Sequence, residues 1–209
     1  MYAPHQFAVT DETEIEAMLR ALRLGCLTTW SPEIGLQATH MPFLYDAEKR
    51  MLNAHMARAN PHWRRAGEGA ALAIFQGVNA YVSPSWYPSK RQHGKVVPTW
   101  NYEAIHVRGR IQWREEPDWL IAHVSALSDR HEAPRAEPWA VSDAPADYIR
   151  NLSAAIIGLD MAIEQVEVTR KLSQNRPEPD QLGVVAGLSA SESESDHAVA
   201  AAMRQVRQA

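Results

Sequence analysis

The sequence predicts an α+β fold in which antiparallel strands form the main sheet. Three strand-like segments follow one another between Cys26 and Met56 and are joined by short polar turns, which is the pattern of an antiparallel meander. Segments with apolar residues at helical spacing lie on either side of this meander. The chain has 209 residues, enough for one sizeable barrel or α+β domain with appendages, or for two small domains.

The first element is a predicted helix that begins at Asp11 and ends at Gly25. Asp11 can cap it, acidic residues fill its first turn, and its apolar residues share one face. The three strands of the meander are predicted over residues 26–31, 36–44 and 50–56. A short helix then opens at Asn60-Pro61 and ends near Gly67, because Asn is a good cap and Pro suits the first turn.

The middle of the chain alternates between strands and polar connections. Strands are predicted over residues 70–76, 80–83 and 96–113, with a turn at 77–79 and a bend at Gly109. Residues 84–95 contain two Pro and one Gly, which is typical of an exposed loop. A helix is predicted from Pro117 through Leu127, followed by an irregular Pro-rich segment over 133–145.

The C-terminal part is predicted to hold one more helix and the final strand. The helix begins at Ala146 and stops at Gly158, and the strand covers residues 159–168. From Ser173 onward the chain is polar, and residues 189–196 read as a solvated linker or a frayed helix start. An Ala-rich terminal helix is predicted over 198–206.

Composition excludes several classes of protein. The formal net charge is −4, so no global field attracts nucleic acid or an acidic membrane surface. Cys26 is the only cysteine, which excludes an internal disulfide and a multi-cysteine metal site. No secretory signal and no apolar run of about 18 residues is visible, so we expect a cytoplasmic protein without a membrane segment.

The segment from Ala80 to His106 is the richest in chemically useful side chains. It holds two Trp, three Tyr, four Ser or Thr, one Asn and two His. Aromatic walls beside hydroxyl and amide donors suit a planar ligand with polar edges, although two ordinary aromatic-rich strands would look similar. The candidate donors and walls are Ser83, Ser85, Thr99, Asn101, Trp86, Tyr87, Trp100 and Tyr102.

Two further segments could bind an anion. Arg58 directly precedes the predicted helix at Asn60, where a guanidinium and free backbone N–H groups can converge on a phosphate. The plainer alternative is a solvent-facing Arg58 with Asn60 as a simple cap. Residues 170–176 follow the last predicted strand and carry three cations with Ser, Gln and Asn, which fits either an anion site or a basic cap at a sheet end.

Other site chemistries find little support. The nine histidines show no HExxH or equivalent spacing, so we predict no metal site, and a haem ligand needs only one His and stays open. The sequence contains no Gly-x-Ser-x-Gly elbow and no glycine-rich phosphate loop. It also shows no helix-turn-helix pair with a basic second helix.

Five ordered segments resemble the PaiB family, which is described as FMN-binding negative transcriptional regulators. They are residues 1–4, 55–61, 81–87, 97–102 and 171–176, and the resemblance extends to about residue 187. It implies an FMN-binding split β-barrel of antiparallel, Greek-key type with peripheral helices, similar to pyridoxamine 5′-phosphate oxidase. It also implies a homodimer with flavin in clefts at the subunit interface.

By the same resemblance, thirteen residues fall at positions that contact flavin. The phosphate-side loop is expected to contain His55, Arg58 and Asn60. The strand along the isoalloxazine is expected to contain or precede His40, Met41 and Pro42. The residues expected to close the pocket, or to approach it from the last strand, are Ser85, Trp86, Thr99, Asn101, Ser173, Gln174 and Asn175. The resemblance identifies no catalytic residue.

The expected function is that of an FMN-binding transcriptional regulator, with DNA as a partner by family resemblance only. Two alternatives stay open: a flavin-dependent oxidoreductase or flavin reductase acting on a small molecule, and a haem-binding split barrel that uses His40, His55 or His106. We expect one domain over residues 1–188 and a polar tail with a terminal helix over 189–209.

Overall fold

The computed structural model describes residues 1–208 and contains seven strands and seven helices in that range. The strands are β1 Ala8–Val9, β2 Leu24–Ser31, β3 Gly35–Asp46, β4 Met51–Ala57, β5 Gly69–Val82, β6 Thr99–Arg114 and β7 Ile156–Lys171. The helices are α1 Glu12–Arg20, α2 His62–Ala66, α3 Ser89–His93, α4 Pro117–Glu132, α5 Ala146–Ser153, α6 Glu178–Ser189 and α7 Glu194–Gln208. Short 3-10 turns precede β1, α3 and α5.

The strands are paired in the order β1-β7-β4-β3-β2-β5-β6, and β7 also pairs with β6. The second pairing of β7 closes six of the strands into a ring. The pairs β2–β3, β3–β4, β4–β7, β2–β5 and β1–β7 are antiparallel. The predicted antiparallel α+β architecture and the predicted meander over β2, β3 and β4 are therefore confirmed.

Contacts group the chain into two compact units. Unit 1 contains residues 1–15, 76–105 and 167 onward, and unit 2 contains residues 16–75 and 106–166. Strands β5, β6 and β7 each contribute residues to both units. The division into a domain over 1–188 and a tail over 189–209 stays a prediction.

The core of unit 2 forms because its strands alternate apolar and polar residues. In β4, Leu52, Ala54 and Met56 are buried, whereas the residues between them lie on the opposite face. Phe43 on β3 and Phe75 on β5 meet edge to face, with ring centroids 5.1 Å apart. Such contacts keep the interior face of the meander free of water.

Helix α4 covers the opposite face of β4 and β7. A Cβ atom at Gly158 of β7 would lie 2.2 Å from the indole ring of Trp119, so only glycine lets the helix approach this closely. One turn further along α4, His123 reaches His55 of β4. The packing of α4 therefore buries polar side chains of β4 that would otherwise face solvent.

The core of unit 1 depends on the two C-terminal helices. Apolar residues recur at helical spacing on α6 and α7 and pack on β5 and on Tyr87. The fully buried members include Val82, Val184, Leu188, Val199 and Met203. The polar tail predicted from Ser173 onward is thus largely helical, and the predicted terminal helix begins at Glu194, four residues earlier than expected.

Three glycines that we expected to end helices or to form a turn lie inside strands. Gly25 belongs to β2, Gly77 to β5 and Gly158 to β7, so these three predictions are wrong. At each position a neighbour packs where a Cβ atom would stand: Phe75 at 2.4 Å, Glu103 at 2.9 Å and Trp119 at 2.2 Å. These glycines allow close packing rather than chain reversal. The predicted loop over 84–95 also differs, since it contains helix α3.

Within residues 1–208, each helix is too short or too polar to cross a lipid bilayer.

Candidate functional site

Two arginines lie near the ring of Trp63 in unit 2, where β4 leads into α2. The Arg58 side chain lies 5.9 Å from the Trp63 ring centroid and the Arg64 side chain lies 4.6 Å from it. The indole Nε1 of Trp63 donates to the backbone oxygen of Arg58 at 3.0 Å, which fixes the ring. We call Arg58, Asn60, Trp63 and Arg64 the basic corner.

The guanidinium of Arg58 is held in a defined orientation. Its Nε donates to the backbone oxygen of Ala154 at 3.1 Å, and its Nη1 lies 2.5 Å from Oε2 of Glu115. The backbone N–H of Arg58 donates to Ala155 at 2.8 Å, so main chain and side chain are both anchored to the segment before β7. A guanidinium held in a fixed orientation is well suited to bind a phosphate.

The amide of Asn60 anchors the start of α2. Its Oδ1 accepts from the backbone N–H of His62 at 3.0 Å, and its Nδ2 donates to Thr39 Oγ1 at 3.2 Å. The His62 ring is buried between the hydroxyls of Thr29 at 2.8 Å and Thr39 at 2.7 Å. Burial lowers the pKa of His62, so the ring is neutral at pH 7. This network holds the chain segment that carries Arg58.

The imidazole of His55 faces α4 and not the basic corner. Its Nδ1 lies 3.1 Å from Nε2 of His123, and the His123 ring stacks on Trp119 with centroids 5.1 Å apart. Burial lowers the pKa of both histidines, and for His123 the pKa falls to about 4. Both rings are therefore neutral at pH 7, and one donates its N–H to the other.

Beside this histidine pair lies a small cavity of about 300 Å³. It is lined by Trp119, His123, Asn53, Asp160 and Lys49 together with apolar residues. Asp160 is buried and accepts from Asn53 Nδ2 and from Arg114 Nε, both at 2.6 Å. The hydrogen bond to Asp160 raises the pKa of Arg114. Sequence reasoning missed these residues, although the alternation of Asn53 and His55 on β4 was a signal that both share one face.

The three predicted residues of β3 are divided between the two faces of the strand, with His40 and Pro42 on one face and Met41 on the other. Met41 is 2% exposed and its side chain belongs to the core. His40 is exposed and pairs with Cys26 across the β2–β3 ladder, and Pro42 is half-buried opposite Leu24. Met41 can therefore face a ligand only through its backbone, whereas the His40 imidazole is accessible on the outer face.

In unit 1 the structure brings two of the predicted residues into direct contact. Asn101 is fully buried, and its Nδ2 donates to Ser173 Oγ at 3.0 Å while its Oδ1 lies 3.1 Å from the same hydroxyl. The sulfur of Met203 on α7 lies 3.5 Å from the same Nδ2. Ser173 adopts a left-handed conformation with φ of 67°. The pair joins the start of β6 to the turn that follows β7.

Two other predicted residues of unit 1 also bind neighbouring groups of the chain. The hydroxyl of Thr99 accepts from Lys171 Nζ at 2.6 Å. The Gln174 amide closes a turn, because it accepts from the Leu172 N–H at 2.7 Å and donates to the Arg170 oxygen at 2.6 Å. Asn175 follows in the same turn and is exposed.

The remaining pair, Ser85 and Trp86, lies in the 3-10 turn after β5. Ser85 is exposed and its hydroxyl accepts from Lys90 Nζ at 3.2 Å. The Trp86 ring packs on α6, since a Cβ atom at Gly187 would lie 2.4 Å from it. Trp86 therefore supports the α6 packing, and the more exposed ring in unit 1 is that of Trp100, which is 50% exposed.

The antiparallel strand ring with its peripheral helices defines the class of this molecule, a split β-barrel protein. Residues 1–165 match the family described as "Putative FMN-binding domain", and the chain belongs to that family. The predicted split β-barrel and the resemblance to the PaiB family are both confirmed.

Two relatives of known sequence match most of the chain. "Protease synthase and sporulation protein PAI 2" of Bacillus subtilis (strain 168) is 31% identical over 189 residues, which is 88% of this chain and 87% of the relative. "Uncharacterized protein AN0679" of Emericella nidulans is 32% identical over an alignment that covers 86% of this chain and 88% of the relative.

Solved structures share the fold at low sequence identity. The FAD and heme binding protein from Mycobacterium smegmatis superposes with a TM-score of 0.59 at 15% identity, over 84% of this chain and 78% of that one. The flavocytochrome Anf3 from Azotobacter vinelandii superposes with a TM-score of 0.56 at 14% identity. The superposition covers 80% of this chain and 70% of that one. At these identities the likeness concerns the fold alone.

Among the residues that the structure describes, no group of three or more His, Cys, Asp or Glu side chains is arranged to hold a metal ion.

Proposed function

We propose that this protein binds FMN and that the basic corner holds the flavin phosphate. The observation that carries the proposal is the guanidinium of Arg58, fixed by Ala154 and placed beside the Trp63 ring together with Arg64. Two cations on one indole produce a local positive charge in a chain whose net charge is −4. A phosphate dianion is the part of FMN that such a cluster would recognise.

Side-chain donors, and not a helix N-terminus, would bind the phosphate at the basic corner. Helix α2 has only five residues, so its end contributes little, and the charge must come from side chains. The Nε of Arg58 is held by Ala154, so the side of the guanidinium that carries Nη1 and Nη2 is the part that can bind an anion. Asn60 fixes the loop through its bonds to His62 and Thr39, so we propose that it positions Arg58 and does not itself bind the phosphate.

The other predicted contacts enter the proposal with different roles. In unit 2, the exposed His40 and the backbone of Pro42 can contact the flavin directly, and the packed side chains of Met41 and His55 would shape the pocket. For the residues of unit 1, flavin contacts stay predictions: Ser85, Trp86, Thr99, Asn101, Ser173, Gln174 and Asn175. Bound flavin would supply one- or two-electron transfer at its isoalloxazine ring.

We further propose that the protein acts as a cytoplasmic homodimer in transcriptional regulation. Membership of the FMN-binding family and the match to PAI 2 of Bacillus subtilis, whose name refers to sporulation, support this proposal. A regulator of this type would alter a partner or DNA interaction when flavin is bound or reduced. Anisotropy titrations of the FMN-loaded and FMN-free protein against DNA at two salt concentrations test this role, because contacts with the DNA phosphates weaken steeply with salt.

The alternative of an oxidoreductase predicts a different result. A flavin reductase oxidises a nicotinamide cofactor faster than free FMN does under the same conditions. Equal rates with and without protein would favour the regulator. The haem alternative through His55 is disfavoured, because its ring is already bound to His123 in a buried pair.

The direct test of flavin binding is the visible absorption spectrum after FMN is added and unbound ligand is removed. We expect a retained flavin band of about one FMN per chain, together with quenching of tryptophan fluorescence. A protein that shows neither the band nor the quenching would contradict the proposal.

A further inference from the structure

We propose that Glu115 competes with the flavin phosphate for Arg58 and thereby lowers the affinity of the protein for FMN. This inference rests on the proposed function, since it concerns how the same basic corner is regulated. Glu115 is the first residue after β6, and its Oε2 lies 2.5 Å from Nη1 of Arg58. A carboxylate thus stands where an anionic ligand of this guanidinium would bind.

The geometry makes Glu115 a substitute for a ligand and not a structural partner. The guanidinium is oriented independently by Ala154, which accepts from its Nε at 3.1 Å. Arg58 therefore keeps its position when Glu115 leaves. The carboxylate side chain is 59% exposed, so it can turn into solvent once it is displaced.

The strength of the ion pair fits reversible displacement. The Arg58 side chain is 29% exposed and that of Glu115 is 59% exposed, so water and salt screen their attraction. A phosphate dianion carries up to twice the charge of a carboxylate and is therefore attracted more strongly to the Arg58 guanidinium. FMN would then displace Glu115, but its affinity would be lowered by the ion pair that has to break.

The neighbouring acid provides a matched control. Glu116 is also exposed, but its carboxylate lies near Arg114 at 3.9 Å and not near Arg58. The substitutions Glu115→Gln and Glu116→Gln each remove one negative charge from the same short segment. Only the first removes the charge that faces the phosphate anchor, so long-range electrostatics and local competition can be separated.

The experiment measures equilibrium binding of FMN and of riboflavin by tryptophan quenching in the wild-type protein and in both variants. Riboflavin carries the same ring without the phosphate. We expect Glu115→Gln to bind FMN about fivefold more tightly, the ratio that corresponds to an exposed ion pair of about 1 kcal/mol. We expect its riboflavin affinity, and both affinities of Glu116→Gln, to be unchanged.

A further variant tests whether the effect passes through the guanidinium. In an Arg58→Ala background, Glu115→Gln should leave FMN affinity unchanged, because the competition no longer exists. Thermal unfolding of each variant verifies that the chain folds.

The outcomes separate the two proposals. Equal FMN affinity of wild type and Glu115→Gln, with a loss of affinity in Arg58→Ala, would overturn the competition while leaving the phosphate anchor intact. Equal tightening of FMN and riboflavin would also overturn it, because Glu115 would then act on the ring. A wild-type protein that binds neither flavin would overturn the proposed function itself.

Discussion

The buried pair of His55 and His123 makes a specific prediction about stability and pH. His123 is 5% exposed, and its pKa falls from 6.5 to about 4 through burial and through the neighbouring charge of His55. In the unfolded chain the same imidazole titrates near 6.5. As pH falls from 6.5 towards 4 the unfolded state therefore takes up a proton that the folded state does not, and the folded state loses stability.

The size of the loss in folding stability follows from the pKa shift of His123. Each pKa unit corresponds to about 1.4 kcal/mol, so a shift from 6.5 to about 4 gives a loss of about 3 kcal/mol between these two pH values. The stability that depends on a neutral His123 is fully present above pH 6.5 and is lost below about pH 4. In His123→Gln this titration is absent, and the free energy of unfolding should fall less steeply over the same interval. His55 keeps a lowered pKa from its own burial, so some dependence remains.

Urea unfolding followed by far-UV circular dichroism at pH 7.5, 6.5, 5.5 and 4.5 measures the effect. The matched control is His131→Gln, because His131 lies on the same helix and is exposed. We expect the control to follow the wild-type pH dependence. If the curves of wild type and His123→Gln stay parallel down to pH 4.5, the reasoning about the buried pair is refuted.

Two further predictions concern the packing of unit 1. Gly187→Ala should destabilise the protein by about 1–2 kcal/mol in urea unfolding, because its Cβ would lie 2.4 Å from the Trp86 ring; an unchanged midpoint would contradict this packing. Met203→Ala should cost about 2–4 kcal/mol, since Met203 is 1% exposed in the core. The exposed Gln205→Ala on the same helix should cost less than 0.5 kcal/mol, and equal losses in both variants would argue against a packed α7.

The strand pattern was predictable from sequence where short polar turns separate strand-like segments. The meander of β2, β3 and β4 was predicted on this ground. The glycines of these strands could not be interpreted in the same way. In the sequence alone, Gly158 resembles a glycine that ends a helix. The structure shows that a glycine is needed there because Trp119 of α4 packs against it.

Helix α6 was missed for a related reason. It contains Gly183 and Gly187, which have low helix propensity, and it lies in the part of the chain that we expected only to be polar. In the structure these glycines allow Trp86 to approach the helix, and buried residues such as Val184 and Leu188 stabilise it. Tertiary packing thus outweighs local propensity.

The candidate site was predictable only in its local parts. Arg58 beside Asn60 is a motif within one segment, and the structure places both residues at the basic corner. Glu115 is 57 residues away from Arg58, and His123 is 68 residues away from His55. No spacing rule connects such pairs, because the closure of the strand ring brings them together.

The central claim is that Arg58 anchors the phosphate of FMN, and the most direct measurement compares FMN and riboflavin binding in the wild type, Arg58→Ala and Arg135→Ala. Arg135 is an exposed arginine that pairs with Glu132, so it serves as the control. The account predicts that Arg58→Ala weakens FMN binding by about 1.5–3 kcal/mol and leaves riboflavin binding unchanged, and that Arg135→Ala changes neither. Equal FMN affinities in the wild type and Arg58→Ala would contradict the account.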